Sequence, residues 1–153
     1  MPHVELDAIH WLPGWTSIDK QRFREQVAAA TAAGRWVIDG NYRAVRDLVW
    51  AQADTLIWLD YPMTVVFRRV LQRTILRWWR REVLWNGNRE NFLSHFVSEH
   101  SLLLWVIQTW RQHRRDYPPL LRRQKELGKR IVSFRSPAEA EAWLGRMGRE
   151  SEE

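Results

Sequence analysis

The stretch that decides the fold is residues 35–62, RWVIDGNYRAVRDLVWAQADTLIWLDYP. It carries two short apolar runs, RWVID at 35–39 and TLIWL at 55–59, and each reaches an aspartate, Asp39 or Asp60. Short runs rich in Val, Ile and Trp read as buried strands. Gly40 and Asn41 make a turn after the first, and 42–50 reads as a short helix. Parallel strands need a crossover, most often a helix, so strand–helix–strand points to an α/β chain with a mostly parallel sheet.

Working outward, the same alternation continues. Towards the N-terminus, 3–6 is extended, and Thr16 or Ser17 caps a helix that stops at Gly34. Towards the C-terminus, Pro62 opens a long helix, as proline does in a first turn. WNGN at 85–88 breaks it. A second helical stretch covers about 90–115, and Pro118 and Pro119 interrupt before a short helix ends near Gly128. RIVSF at 130–134 is a last strand. Ser136-Pro137-Ala138-Glu139 then caps a final helix, and 148–153 is a frayed tail.

Composition narrows the function classes. The 153 residues contain no Cys, which excludes disulfides, thiolate metal sites and a cysteine nucleophile. No uncharged apolar run approaches the roughly 20 residues of a membrane span, and the N-terminus, MPHVELD, has no signal-peptide core. The expectation is a cytoplasmic protein with no membrane partner. Of 24 basic residues 21 are Arg, and between Arg68 and Arg130 fifteen basic residues face five acidic ones. Arginine grips phosphate through two hydrogen bonds at once. The bland reading of the same residues is a set of solvated helix faces in an Arg-rich chain.

Open α/β sheets bind ligands beyond the carboxyl ends of their strands. Asp39 and Asp60 belong there, and Glu5 and Asp7 follow the first strand. Glu5 and Asp7 are two apart, so on a strand they share a face. Acids along one sheet edge opposite an Arg-rich region suit a magnesium–phosphate ligand.

Four segments in order then resemble bacterial adenylate-kinase-like P-loop kinases, the topology modulation protein group. They are ELDAIHWLPGW from Glu5, the VIDGNYR run through Asp39, Asn41 and Arg43, LDYP ending at Pro62, and WNGNRE from Trp85. The resemblance covers residues 2–144 and implies one P-loop NTPase-like domain, 1–147, with a three-layer parallel sheet and an Arg-rich lid at about 68–116. It implies an ATP-dependent phosphotransferase acting on a nucleotide or another small-molecule acceptor. Asp39 resembles the acid that holds Mg2+ directly or through water. Asn41 and Arg43 resemble acceptor-binding residues, with Arg43 on the acceptor phosphate. Glu5 and Asp7 are similar to acids that orient the acceptor hydroxyl. Arg73, Arg77, Arg80 and Arg81 resemble lid arginines that clamp the donor phosphates. Asp60 is expected to be structural.

The G-x-x-x-x-G-K-S/T cradle of that family is missing, together with its first, central strand and first helix. The resemblance places them just before Pro2, between the strands at 35–39 and 55–59. The expectation is a truncated chain or an upstream start, inactive and doubtful in ATP binding by itself. Loss of a central strand forfeits on the order of 10 kcal/mol of apolar burial. The chain is therefore expected to fold poorly, or to pair strands that are not neighbours in the family. DGNYR departs from DGFPR, which puts AMP as the acceptor in doubt.

The alternative function is an Arg/Trp-rich nucleic-acid-binding module, in which Trp78, Trp79, Trp85, Trp105 and Trp110 interleave with the basic segment. At least eight of the 11 Trp are expected in core or half-buried places. Trp11 and Trp15 flank a Pro-Gly turn and could stack on an acceptor base. His10, His95, His100 and His113 show no metal-ligand spacing.

Overall fold

A computed structural model describes residues 1–89 and 102–150. The elements run β1 (His3–Glu5), α1 (Leu6–His10), β2 (Trp11–Leu12), a 3-10 turn (Pro13–Trp15), β3 (Thr16–Ser17), α2 (Lys20–Thr31), β4 (Val37–Asp39) and α3 (Arg46–Gln52). There follow β5 (Thr55–Leu59), α4 (Met63–Trp79), a 3-10 turn (Trp85–Gly87), α5 (Leu102–Glu126), β6 (Arg130–Phe134) and α6 (Pro137–Glu150). The chain is mixed α/β with short parallel sheets, and contacts divide it into two compact units.

The first unit comprises Met1–Ala53 with Arg77–Glu90. Here β1 and β4 pair in parallel, with His3 opposite Val37, Val4 opposite Ile38 and Glu5 opposite Asp39. Alternation along a strand puts Ile38 on the side of the core and leaves His3, Glu5, Val37 and Asp39 exposed. The core joins Leu6, Ile18, Phe23, Val27, Val45 and Val49, with Ile9, Trp36 and Tyr42 packed against it. Phe23 and Val27 lie four apart on one face of α2, and Thr31 continues that stripe, its hydroxyl donating to the Val27 carbonyl at 3.0 Å.

The second unit comprises Asp54–Leu76 with Asn91–Glu153. There β5 and β6 pair in parallel from Thr55 opposite Arg130 to Leu59 opposite Phe134. Leu56, Tyr61, Val106, Tyr117, Leu121 and Phe134 are buried. Among the described residues β4 pairs with β1 and β5 with β6. Parallel sheets are ordinarily buried on both faces, yet Val37, Ile57 and Leu59 stay exposed on these strands.

Several boundaries differ from the sequence reading. Thr16 and Ser17 pair with β2 in a small antiparallel ladder, and the cap of α2 is Asp19, whose carboxylate accepts from the Gln21 and Arg22 N–H groups. The first strand stops at Glu5, so Asp7 lies in the first turn of α1 and not on a strand. Residues 42–45 form a turn before α3. Pro118 and Pro119 do not interrupt: α5 passes through them. Each lacks the amide that continues a helix, a loss of about 3 kcal/mol at an interior position, and burial of Tyr117 and Leu121 on either side offsets it. Residues 148–150 are helical, while 151–153 lie outside the described residues. The expected helix start at 90 lies outside them too, as do His95 and His100. The caps read from Ser136 and Glu139 are made: the Glu139 N–H donates to Ser136 Oγ at 3.3 Å, and the Arg135 N–H donates to Glu139 Oε2 at 2.9 Å. Among the described residues no helix is long and apolar enough to cross a membrane.

Candidate functional site

The carboxyl ends of β1 and β4 bring together Glu5 and Asp39. Glu5 and Asp39 are direct register partners, so their side chains leave the same face of the pair. His3 Nε2 lies 3.4 Å from Asp39 Oδ2. The Trp85 indole Nε1–H donates to Glu5 Oε2 at 2.7 Å. One residue into α1 stands Asp7, whose Oδ1 accepts the Tyr42 hydroxyl. Each of the three acids thus has one fixing partner. Burial, reinforced by the Asp7 carboxylate, pushes the Tyr42 phenol far above its ordinary value, so it stays a donor.

Two backbone features hold this edge. Gly40 follows Asp39 with φ of 109°, a conformation that L side chains rarely adopt. A Cβ there would lie 2.8 Å from Leu6 Cβ, so the β4 end passes tightly over the start of α1. The second feature is the segment around WNGN. Asn88 is buried and donates to the Leu12 and Trp85 carbonyls at 2.9 Å each, while its Oδ1 accepts the Trp15 N–H at 2.9 Å. The Trp15 indole donates to the Arg89 carbonyl at 3.0 Å, and Asn86 donates to the Ala8 and Trp11 carbonyls. Side-chain amides thereby satisfy backbone groups of Ala8, Trp11, Leu12 and Trp15.

His10 sits inside the aromatic cluster beneath. Its ring meets Trp11, Phe23 and Tyr42 at centroid distances of 4.7, 5.1 and 4.4 Å. Its Nδ1 is buried with no hydrogen-bond partner among the described residues. Burial lowers its pKa, and the nearby Asp7 charge opposes that shift.

The residues singled out from the sequence are placed as follows. Glu5 and Asp39 come together as register partners, while Asp7 stands two residues beyond Glu5 in the first turn of α1. Arg77 joins them through Trp85: its guanidinium lies 5.9 Å from the indole centroid, and its Nε is 4.0 Å from Glu82. Arg80 and Arg81 are exposed in the turn after α4, with Arg81 at φ of 51°. Arg73 belongs to the second unit. Asn41 and Arg43 are exposed, and Asn41 Oδ1 accepts from Arg46 at 3.3 Å. Trp11 and Trp15 meet edge-on at 5.6 Å, and of the ten Trp whose side chains are described eight are half-buried. Asp60 is held by Arg114 at 3.1 Å. Sequence reasoning missed His3, Tyr42 and Trp85 as partners of the acids. Tyr42 stood inside DGNYR and Trp85 inside WNGN, but no spacing rule links positions 35 and 80 residues away.

Among the described residues no group of three or more His, Asp or Glu is placed to hold a metal ion. Two carboxylates beside open solvent do fit magnesium, which keeps several waters and takes one or two carboxylates with substrate phosphates. The phosphates of ATP have no glycine-rich cradle in this sequence, so the residues present do not fit that group. Set against family profiles, curated proteins and solved structures, the chain finds no match.

Proposed function

We propose that the chain is the acceptor-side and lid portion of an ATP-dependent phosphotransferase of the adenylate-kinase-like kind, with a P-loop NTPase-like three-layer sheet completed by a strand and phosphate cradle from outside these residues. The observation that carries the reading is the register pairing of Glu5 with Asp39 at the carboxyl ends of adjacent parallel strands. Glu5, fixed by Trp85, and Asp7, fixed by Tyr42, orient an acceptor hydroxyl. Asp39 takes part in holding magnesium, and Arg43 meets an acceptor phosphate. Arg77 lies over the Trp85 ring that holds Glu5, with Arg80 and Arg81 in the adjoining turn. Without the donor cradle the chain alone is catalytically silent.

The test extends the chain ahead of Pro2 by a strand, a G-x-x-x-x-G-K-S/T loop and a helix, and screens nucleoside monophosphates and small alcohols for ATP-dependent phosphorylation. Activity with one acceptor, lost on Asp39→Asn and weakened on Arg43→Ala, is the expected result. A folded extended chain that binds ATP but phosphorylates no acceptor, or that ignores both substitutions, overturns the reading.

A further inference from the structure

Helix α4 carries four arginines, Arg68, Arg69, Arg73 and Arg77, and no acidic residue. Its inner side is marked by buried Thr74 with half-buried Phe67, Val70 and Leu71. Arg68, Gln72, Ile75 and Trp79 follow one another three or four positions apart on the other side, with Leu76 beside Ile75, and all are exposed. Ile75 is 42% exposed, Leu76 46% and Trp79 74%. Arg69 and Arg73 flank this stripe, one turn apart. Arg69 lies 5.6 Å from the Tyr61 ring centroid, while Arg68 and Arg73 have no ion-pair partner among the described residues.

A cationic face with a bare indole at its end calls for a polyanion that also offers flat apolar groups. We propose that the exposed face of α4 binds single-stranded nucleic acid, its arginines on the phosphates and Trp79 stacked on a base. Phosphate contacts supply affinity without sequence preference, and base–aromatic stacking adds to it because every base has a π-face. An anionic bilayer is the poorer match. A helix lying in a membrane surface needs apolar residues along its length, whereas here they occupy only 75–79 and the basic positions begin at Arg68. Arg73 and Arg77 are shared with the phosphotransferase reading, so the test rests on Arg68 and Trp79, to which that reading gives no role on the acid edge.

The experiment measures fluorescence anisotropy of a labelled oligodeoxythymidine of about 12 nucleotides with the 153-residue chain, over a series of NaCl concentrations. Binding should fall linearly in log affinity against log salt. Trp79→Ala should weaken it about tenfold, and Arg68→Ala should reduce the slope by about 0.7. Far-UV circular dichroism checks that both variants keep the parent's helix content, and Arg68→Glu serves as a second surface variant, expected to weaken binding further. No binding at about 50 mM salt, binding that none of these variants changes, or binding only to phosphatidylserine vesicles would each overturn the proposal.

Discussion

Strands β4 and β5 reach an aspartate by the same apolar route, yet the Asp39 side chain is 64% exposed and that of Asp60 only 11%. Asp60 receives Arg114, with Nε 3.1 Å from Oδ1 and an NH2 donor 3.2 Å from Oδ2. The next residue, Tyr61, is buried, and its carbonyl accepts the Trp110 indole N–H at 2.9 Å. Among the described residues the ion-pair partner of Asp39 is His3 at 3.4 Å, and the next residue is Gly40, with no side chain to bury. In the first unit the arginine goes elsewhere: Arg24 forms a two-pronged pair with Asp47 on α3, at 2.7 Å for each prong. Where the arginine goes decides the difference. A strand-end acid that receives one becomes an anchor, and one that does not stays free for other work.

The largest effect is expected where Asp39 hands over to Gly40. Gly40→Ala forces a side chain into a left-handed conformation and against Leu6 Cβ. The strain and the clash together should cost about 3 kcal/mol, read as a lower midpoint in urea with an unchanged slope. A loss under about 1 kcal/mol would mean that Leu6 and α1 yield easily, and the tight passage would not be what keeps the Asp39 edge in place.

Next comes the anchor itself. Asp60→Ala leaves Arg114 without its carboxylate, and because Arg114 is 46% exposed, water takes over part of that role. The expected loss is about 2 kcal/mol, below that of a fully buried pair. Asp39→Ala should change stability by no more than about 0.5 kcal/mol. Equal effects at the two sites, in paired urea titrations, would remove the contrast. Trp110→Phe keeps a ring but deletes the donor to the Tyr61 carbonyl, for about 1 kcal/mol. A double-mutant cycle with Asp60→Ala tells whether the two contacts brace the β5 end as one unit.

This contrast also marks how far the sequence could be read. The strands at β5 and β6 were legible because their apolar runs are short and bounded by charged residues. The parallel class followed from alternation with helices. Asp7 was misplaced because E-x-D carries no sign that the chain turns helical right after Glu5. Pro118 and Pro119 misled for a different reason: local propensity speaks against a helix there, and burial around Tyr117 overrides it. In the candidate site the acids were legible as residue types at strand ends. Their partners were not, since Trp85 on Glu5 and Tyr42 on Asp7 are long-range contacts fixed only by the fold.

The smallest expected effect concerns pH and the acid that Arg24 chose. The two-pronged contact holds the Asp47 carboxyl down at about 2, from an ordinary 3.8. The unfolded chain therefore binds a proton at Asp47 at a higher pH than the folded one does. The stabilisation is present above about pH 4 and is lost as pH falls from about 4 to about 2. Both side chains are solvent-accessible and salt screens them, so the contribution is small. Asp47→Asn should lower Tm slightly at pH 6, and its gap from the parent should close as pH approaches 2. A gap that persists to pH 2 would mean that the asparagine disturbs packing around Ala44, whose carbonyl also accepts from Arg24 at 2.6 Å, and that the ion pair is not its source.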